Sequence, residues 1–162
     1  LGEGSDDVRY GAGWVTGLQA TYWATPRFGV RAHGAYTERP ITGGDESLAF
    51  EGNHLEDISG AIEDVCNKYG YGLVRNYGGH GVGKKPHEAP FIHNYRTGDR
   101  GPMLQEGNVL AIEPMFNLGG DDVYTAEDDW TVITKDHLPS AHFEHTVVVT
   151  KGEPEILTRL PL

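Results

Sequence analysis

One stretch of this chain keeps apolar residues at helical spacing, and that scarcity sets the fold class. Leu55, Ile58, Ala61, Ile62, Val65 and Tyr69 recur at three- and four-residue intervals, which lines one face of a helix. Asn53 is placed to cap it, with Glu56 three residues later in capping-box spacing, and Gly70 is placed to end it. Glu56 and Asp57 fall in the first turn and Lys68 in the last, as the helix dipole favours. Cys66 beside the stripe reads as a small packed residue rather than a reactive thiol. Around this helix lie short strands and glycine-rich loops: Gly72-Leu73-Val74, Val109 to Ile112, Trp130 to Ile133, and Phe143 to Thr150. One helix among strands joined by short loops predicts an α+β fold with an antiparallel sheet.

Composition excludes several classes. Asp plus Glu number 24 against 13 Lys plus Arg, a formal net charge of −11, so a nucleic-acid binder relying on a basic face is excluded. The single cysteine forbids an intramolecular disulfide and fits a reducing, cytoplasmic setting. No run approaches the ~20 apolar residues of a membrane helix, and the N-terminus lacks the order of a signal peptide. Leu1 in place of Met suggests that the sequence begins inside a longer reading frame.

The charge divides unevenly. Residues 1–43 carry four acidic and four basic residues, so the whole excess lies in residues 44–162, which also hold seven of the eight histidines. A boundary is expected near Gly43-Gly44. In the first segment Tyr10, Ala12, Trp14, Thr16, Leu18, Ala20 and Tyr22 alternate with smaller or polar residues. A turn at Ala24-Thr25-Pro26 follows, then a second alternating run from Phe28 to Tyr36. This predicts a β-hairpin. It resembles a hairpin of an outer-membrane β-barrel, although an amphipathic hairpin of a soluble sheet has the same alternation and two strands cannot span a membrane.

Three positions in the second segment offer metal-ligand side chains. His87 precedes Glu88-Ala89-Pro90, Glu113 ends an apolar strand before Pro114, and Glu144 runs into an apolar β-branched strand. A carboxylate at the end of a buried strand is costly unless paired or coordinated, and imidazole with carboxylates suits zinc, manganese, iron or cobalt. On spacing alone, an outward-pointing Glu113 and a Glu144 paired with a neighbouring histidine account for the pattern as well as ligation does. His142 and His145, flanking Glu144, read as residues that orient it. His137, Asp121-Asp122 and Glu127-Asp128-Asp129 read as solvated loop, without EF-hand spacing.

The surroundings of these residues are more specific. Gly78-Gly79-His80-Gly81-Val82-Gly83, His87-Glu88-Ala89-Pro90 and His93 resemble the metal-binding loop of bacterial-type methionine aminopeptidases. Glu106 to Met115, Asp129-Trp130-Thr131-Val132 and Ala141 to Val149 resemble that family's later motifs, in the same order, over about residues 46–157. The resemblance implies one half of a pita-bread fold (creatinase/aminopeptidase-like) and a catalytic domain over 44–162. It implies removal of the initiator methionine from nascent polypeptides, with two divalent ions. His87, Glu113 and Glu144 would be ligands, Glu144 bridging and Glu113 also serving as general base. His93 would contact substrate and steady the developing oxyanion, Trp130 would lie near the methionine pocket, and His80 would be structural or support a ligand. Ribosome association would follow from such a substrate.

The chain departs from the family in its first segment. Two aspartate ligands, eleven positions apart, belong upstream of the Gly-His-Gly motif. Asp45, in Gly44-Asp45-Glu46-Ser47, is the candidate for one of them, but it lies 35 residues before His80, and Gly34 stands eleven residues before it. One weakly held ion or none is therefore expected, and the uncovered sheet surface leaves a monomer or self-association open. The alternatives to an active aminopeptidase are a non-catalytic peptide-binding module, a fused or truncated relic, and a membrane-associated fragment.

Overall fold

The computed structural model describes Ala20–Thr21 and residues 46–159. The remaining residues of the 1–43 hairpin expectation, and Asp45, lie outside the described residues. Ala20–Thr21 forms a short strand, β1.

The helix α1 spans Leu55–Tyr69, one residue later than its cap was expected. His54, not Asn53, is the N-cap, and Asp57 accepts the His54 backbone N–H at 2.8 Å. Asn53 instead donates its side-chain amide to the Leu48 carbonyl at 2.9 Å. Glu56 turns away to accept the N–H groups of Thr97 and Gly98, tying the first turn to a distant loop. Gly70 ends the helix in the left-handed region, φ 69°, which glycine adopts without a Cβ penalty. The buried stripe is Leu55, Ile58, Ser59, Ile62 and Cys66. Tyr69, expected on that stripe, is exposed. Each fully buried isoleucine contributes roughly 1.5–3 kcal/mol relative to exposure.

The strands that follow are β2 (Gly72–Leu73), β3 (Gly78–Gly81), β4 (Glu88–His93), β5 (Val109–Ile112), β6 (Met115–Asn117), β7 (Val123–Thr125), β8 (Val132–Thr134), β9 (Ser140–Phe143), β10 (His145–Val148) and β11 (Glu155–Ile156). They form a four-stranded sheet in the order β1-β9-β6-β2, a five-stranded sheet in the order β11-β10-β5-β3-β4, and the separate hairpin β7-β8. Every strand ladder described is antiparallel, as the sequence predicted. The α1 stripe packs with Ile92, Leu110, Ile112, Phe116, Val147 and Val149 in one core.

Glycine in β3 is required by close approach. A Cβ on Gly79 would collide with the Ala111 carbonyl of β5, and one on Gly81 with the Ala89 carbonyl of β4. The motif therefore lets β3 fit between two strands and holds His80 in register with Phe91 and Ala111.

Two expectations about strands need correction. Phe143 to Thr150 is not one strand: it breaks at Glu144, where the chain leaves the four-stranded sheet (β9) and enters the five-stranded sheet (β10). Trp130 lies before β8, in the turn of the β7-β8 hairpin, where its N–H bonds Asp128 Oδ1 at 3.0 Å. That contact belongs to a tight turn in which the Thr131 hydroxyl and backbone N–H hold the Asp128 carboxyl below its ordinary range.

Candidate metal centre

A second chain crossing accompanies the one at Glu144. β5 belongs to the five-stranded sheet and β6 to the four-stranded one, and Glu113-Pro114 links them. β5 pairs with β10, with Ile112 opposite His145, and β6 pairs with β9, with Met115 opposite His142. Across the gap the Phe143 N–H bonds the Pro114 carbonyl at 3.1 Å. Two adjacent antiparallel strands thus change sheet together, and each places a glutamate in its break. Period-two alternation puts His142 beside Glu144 on one side, while Phe143 and His145 are buried on the other.

The resulting group is compact. One ligand atom each from Glu113, His142 and Glu144 lie within 4.8 Å of one another, the group of metal-ligand side chains that the described residues bring together. His142 Nε2 stands 3.1 Å from Glu113 Oε2, and His80 Nε2 stands 3.4 Å from Glu113 Oε1. His80 Nδ1 donates to the Gly81 carbonyl at 3.0 Å, which turns its Nε2 towards the carboxylate. Buried Asn94 donates its side-chain amide to the Glu113 carbonyl at 3.3 Å. Two carboxylates and an imidazole fit a divalent cation, since their charge offsets its own.

The other expected residues stand at different distances from this group. His87 sits on the exposed approach to β4 with its ring tilted against His80, centroids 4.1 Å apart; it is not in the 4.8 Å group. With His80 and Glu113 it lines a cleft of about 590 Å³, whose wall also includes Tyr77, Phe91 and Met115. His93 ends β4 opposite Gly78 and packs its ring near Phe91 and Tyr95, at 4.8 and 5.1 Å. Neither His93 nor Trp130 lines the cleft, and Trp130 is 72% exposed. His145 bonds the Thr158 hydroxyl at 2.8 Å.

Sequence reasoning read His142 only as an orienter of Glu144 and did not single out Asn94. The i, i+2 spacing of His142 and Glu144 was the available signal for the first. No local pattern marks the second, which follows His93 at the end of β4.

Cys66 is buried, and its thiol donates to the Tyr71 carbonyl at 3.0 Å. Burial pushes its pKa from 9.0 up to about 11, assisted by the negative charge of Asp121. It is a packed residue, not a nucleophile.

The paired sheets, the helix across them and the carboxylates at the crossings define a metallopeptidase half-fold. The chain matches the model of metallopeptidase family M24 over residues 46–151 and belongs to that family. It is similar to the methionine aminopeptidases of Clostridium acetobutylicum, at 50% identity over 110 residues (68% of this chain and 44% of the relative), and of Aquifex aeolicus, at 46% over 114 residues (69% and 44%). Among solved structures it resembles the methionine aminopeptidase of Thermotoga maritima, with a TM-score of 0.69 and 41% identity over 72% of this chain and 47% of that one. The chain spans less than half the length of these relatives. Among the described residues no helix is long and apolar enough to cross a membrane.

Proposed function

We propose that residues 44–162 form the catalytic half of a metal-dependent aminopeptidase that removes the N-terminal methionine from nascent polypeptides, in the cytoplasm and near the ribosome. The observation that carries this is the family match over residues 46–151, which contains His87, Glu113, Glu144, His93 and Trp130, together with the two glutamates meeting at paired strand crossings.

In this reading Glu113 and Glu144 hold a divalent ion (Co, Mn, Fe or Zn), and His87 completes the set from its loop. A second ion would need carboxylates beyond these, Asp45 first among them. A divalent ion bound there supplies Lewis acidity towards the scissile carbonyl and lowers the pKa of water. Glu113 accepts the proton of the attacking water and hands it to the leaving amine. Its carboxylate is held for that task by His80 and His142, and its backbone by Asn94. His93 donates to the oxygen where negative charge develops. Trp130 lies near the methionine pocket. The chain acts as a monomer or self-associates through a sheet surface.

One observation favours a second reading, a peptide-binding module or relic without turnover: the family match begins at residue 46, so the segment where the two aspartates belong lies outside it. Methionine release from a short Met-initiated peptide separates the two. Release that requires Mn²⁺ or Co²⁺ and vanishes in Glu113→Gln supports the enzyme. Saturable peptide binding in chelator without release supports the module.

A further inference from the structure

We propose that Phe91 senses the side chain immediately after the N-terminal methionine, and so sets which second residues the cleft accepts. This rests on reading the chain as an aminopeptidase that acts on such substrates.

Exposure is the first argument. β4 is the outer strand of the five-stranded sheet, and its side chains alternate. Ile92 enters the core at 1% exposure, while Phe91 is turned out of it, 49% exposed. Its ring forms part of the cleft wall with Tyr77, His80, His87 and Glu113. Ligand clefts are lined by such apolar and aromatic surface, with few polar groups among it.

The ring is also held in place. It lies on the bare backbone of Gly78, where a Cβ would stand 2.9 and 3.2 Å from two of its carbons. His93 meets it edge-on, with centroids 4.8 Å apart. A side chain fixed by its neighbours on a strand makes a wall of constant position, which discrimination by size requires.

Its distance from the chemistry is the third argument. Phe91 stands opposite His80 in the β3-β4 register, and His80 Nε2 lies 3.4 Å from Glu113 Oε1. In the proposed reaction Glu113 hands a proton to the leaving amine. That nitrogen belongs to the second residue, whose side chain begins on the adjoining carbon. The side chain therefore lies among the groups that flank Glu113 in the cleft. His80 and His87 present imidazole there, and Tyr77 is tied through its hydroxyl to the Thr125 hydroxyl at 3.4 Å. Phe91 offers more open apolar surface than Tyr77, 49% against 37% exposure. Trp130, the residue near the methionine pocket in this reading, is not part of that wall, so the two substrate side chains have separate seats.

A small second side chain passes the ring, and a long or branched one competes with it for space. Methionine release from Met-Ala-Ser and Met-Leu-Ser with Mn²⁺ reads this. Wild type should favour Met-Ala-Ser in kcat/KM. Phe91→Ala should lower that preference by about tenfold or more, the scale on which a pocket discriminates methylene groups, and Phe91→Leu should lower it by less. Trp130→Ala should slow both peptides alike and leave the ratio in place. Calorimetric binding of the two peptides in chelator should show the same change of preference without turnover.

Release by wild type with a ratio unchanged in both Phe91 variants overturns the proposal and leaves the aminopeptidase reading standing. Should Phe91→Ala fail to fold, Phe91→Leu decides. Binding without release sinks the turnover reading alone, and the binding ratio then decides for Phe91. Neither release nor binding by the wild-type chain overturns both.

Discussion

Glu113 and Glu144 occupy matched breaks in two paired strands: the residue before Glu113 pairs with the residue after Glu144, Ile112 with His145. The consequence is electrostatic. The strands cannot move apart without breaking both sheets, so the carboxylates stay together whether or not a cation is present. A fixed pair of like charges costs stability that a divalent ion returns. Mn²⁺ should therefore raise the thermal midpoint of the wild-type chain, by about 2.7 kcal/mol of stabilisation at a hundredfold excess over the dissociation constant. Glu113→Gln removes one of the two charges. The variant should be at least as stable as wild type in chelator and gain nothing from Mn²⁺. Scanning fluorimetry of both proteins, with and without the ion, reads this; an equal Mn²⁺ response in Glu113→Gln would refute it.

The glycine motif supports the same site from beneath. Gly79→Ala places a Cβ against the Ala111 carbonyl, in a strand wedged between β4 and β5. Relief requires β3 to move off β5, at a cost of about 1–3 kcal/mol or more, and His80 moves with it. Gly152 has open space around it, so Gly152→Ala should stay within about 0.5 kcal/mol of wild type. Urea denaturation of the two variants should separate them by at least the smaller of these costs. Coincident curves would mean that β3 is not confined as described.

Much of this architecture was legible in the sequence because local patterning and tertiary demand agreed. The α1 stripe announced itself at Leu55, Ile58 and Ile62, and the apolar run at Val109 to Ile112 became β5. The misses fall where a tertiary choice overrides local pattern. Asn53 and His54 both sit at plausible cap positions, and Asn53 was drawn off by the Leu48 carbonyl. Alternation through Phe143-Glu144-His145 looks continuous, yet the strand changes sheets at Glu144, which only a partner strand crossing at Glu113 can reveal. His142 was underread for the same reason: its closest acidic partner, Glu113, is 29 positions away. His87 stands in the motif where a ligand belongs, but motif spacing does not fix the loop that carries it.

Cys66 offers a prediction with a defined pH window. Its folded pKa, about 11, lies above the ordinary 9.0 because burial disfavours the thiolate. The unfolded chain therefore releases this proton first as pH rises. The thiol's contribution is fully present below pH 9.0 and is lost as pH climbs towards about 11. Wild type should lose stability over that interval more steeply than Cys66→Ala, whose own cost is a smaller side chain in the core at every pH. The folded thiol should also resist iodoacetamide at pH 8 and react promptly in urea. Parallel stability profiles above pH 9 would argue that Cys66 is not desolvated.

Arg96 joins the end of β4 to helix α1, and its worth depends on how much of the contact is charge. Its guanidinium is bidentate on Asp64, at 2.8 and 2.7 Å, and it also reaches Glu63 at 3.3 Å. That hydrogen bonding holds the Asp64 carboxyl below its usual 3.8. Arg96 and Asp64 are 46% and 65% exposed, so solvent screens the pair and its contribution should be about 0.2–1 kcal/mol. A depressed carboxylate pKa stabilises the fold above the unfolded value, and the gain is lost as pH falls through the folded value. The deficit of Arg96→Ala should therefore be present at pH 7 in low salt, shrink in 1 M salt, where the screening length is about 3 Å, and fade below pH 3.8. The guanidinium also lies about 3.0 Å from where a Cβ on Gly60 would sit, so the arginine packs over the helix as well as pairing with it. A deficit that ignores both salt and pH would assign the contact to that packing and not to the ion pair.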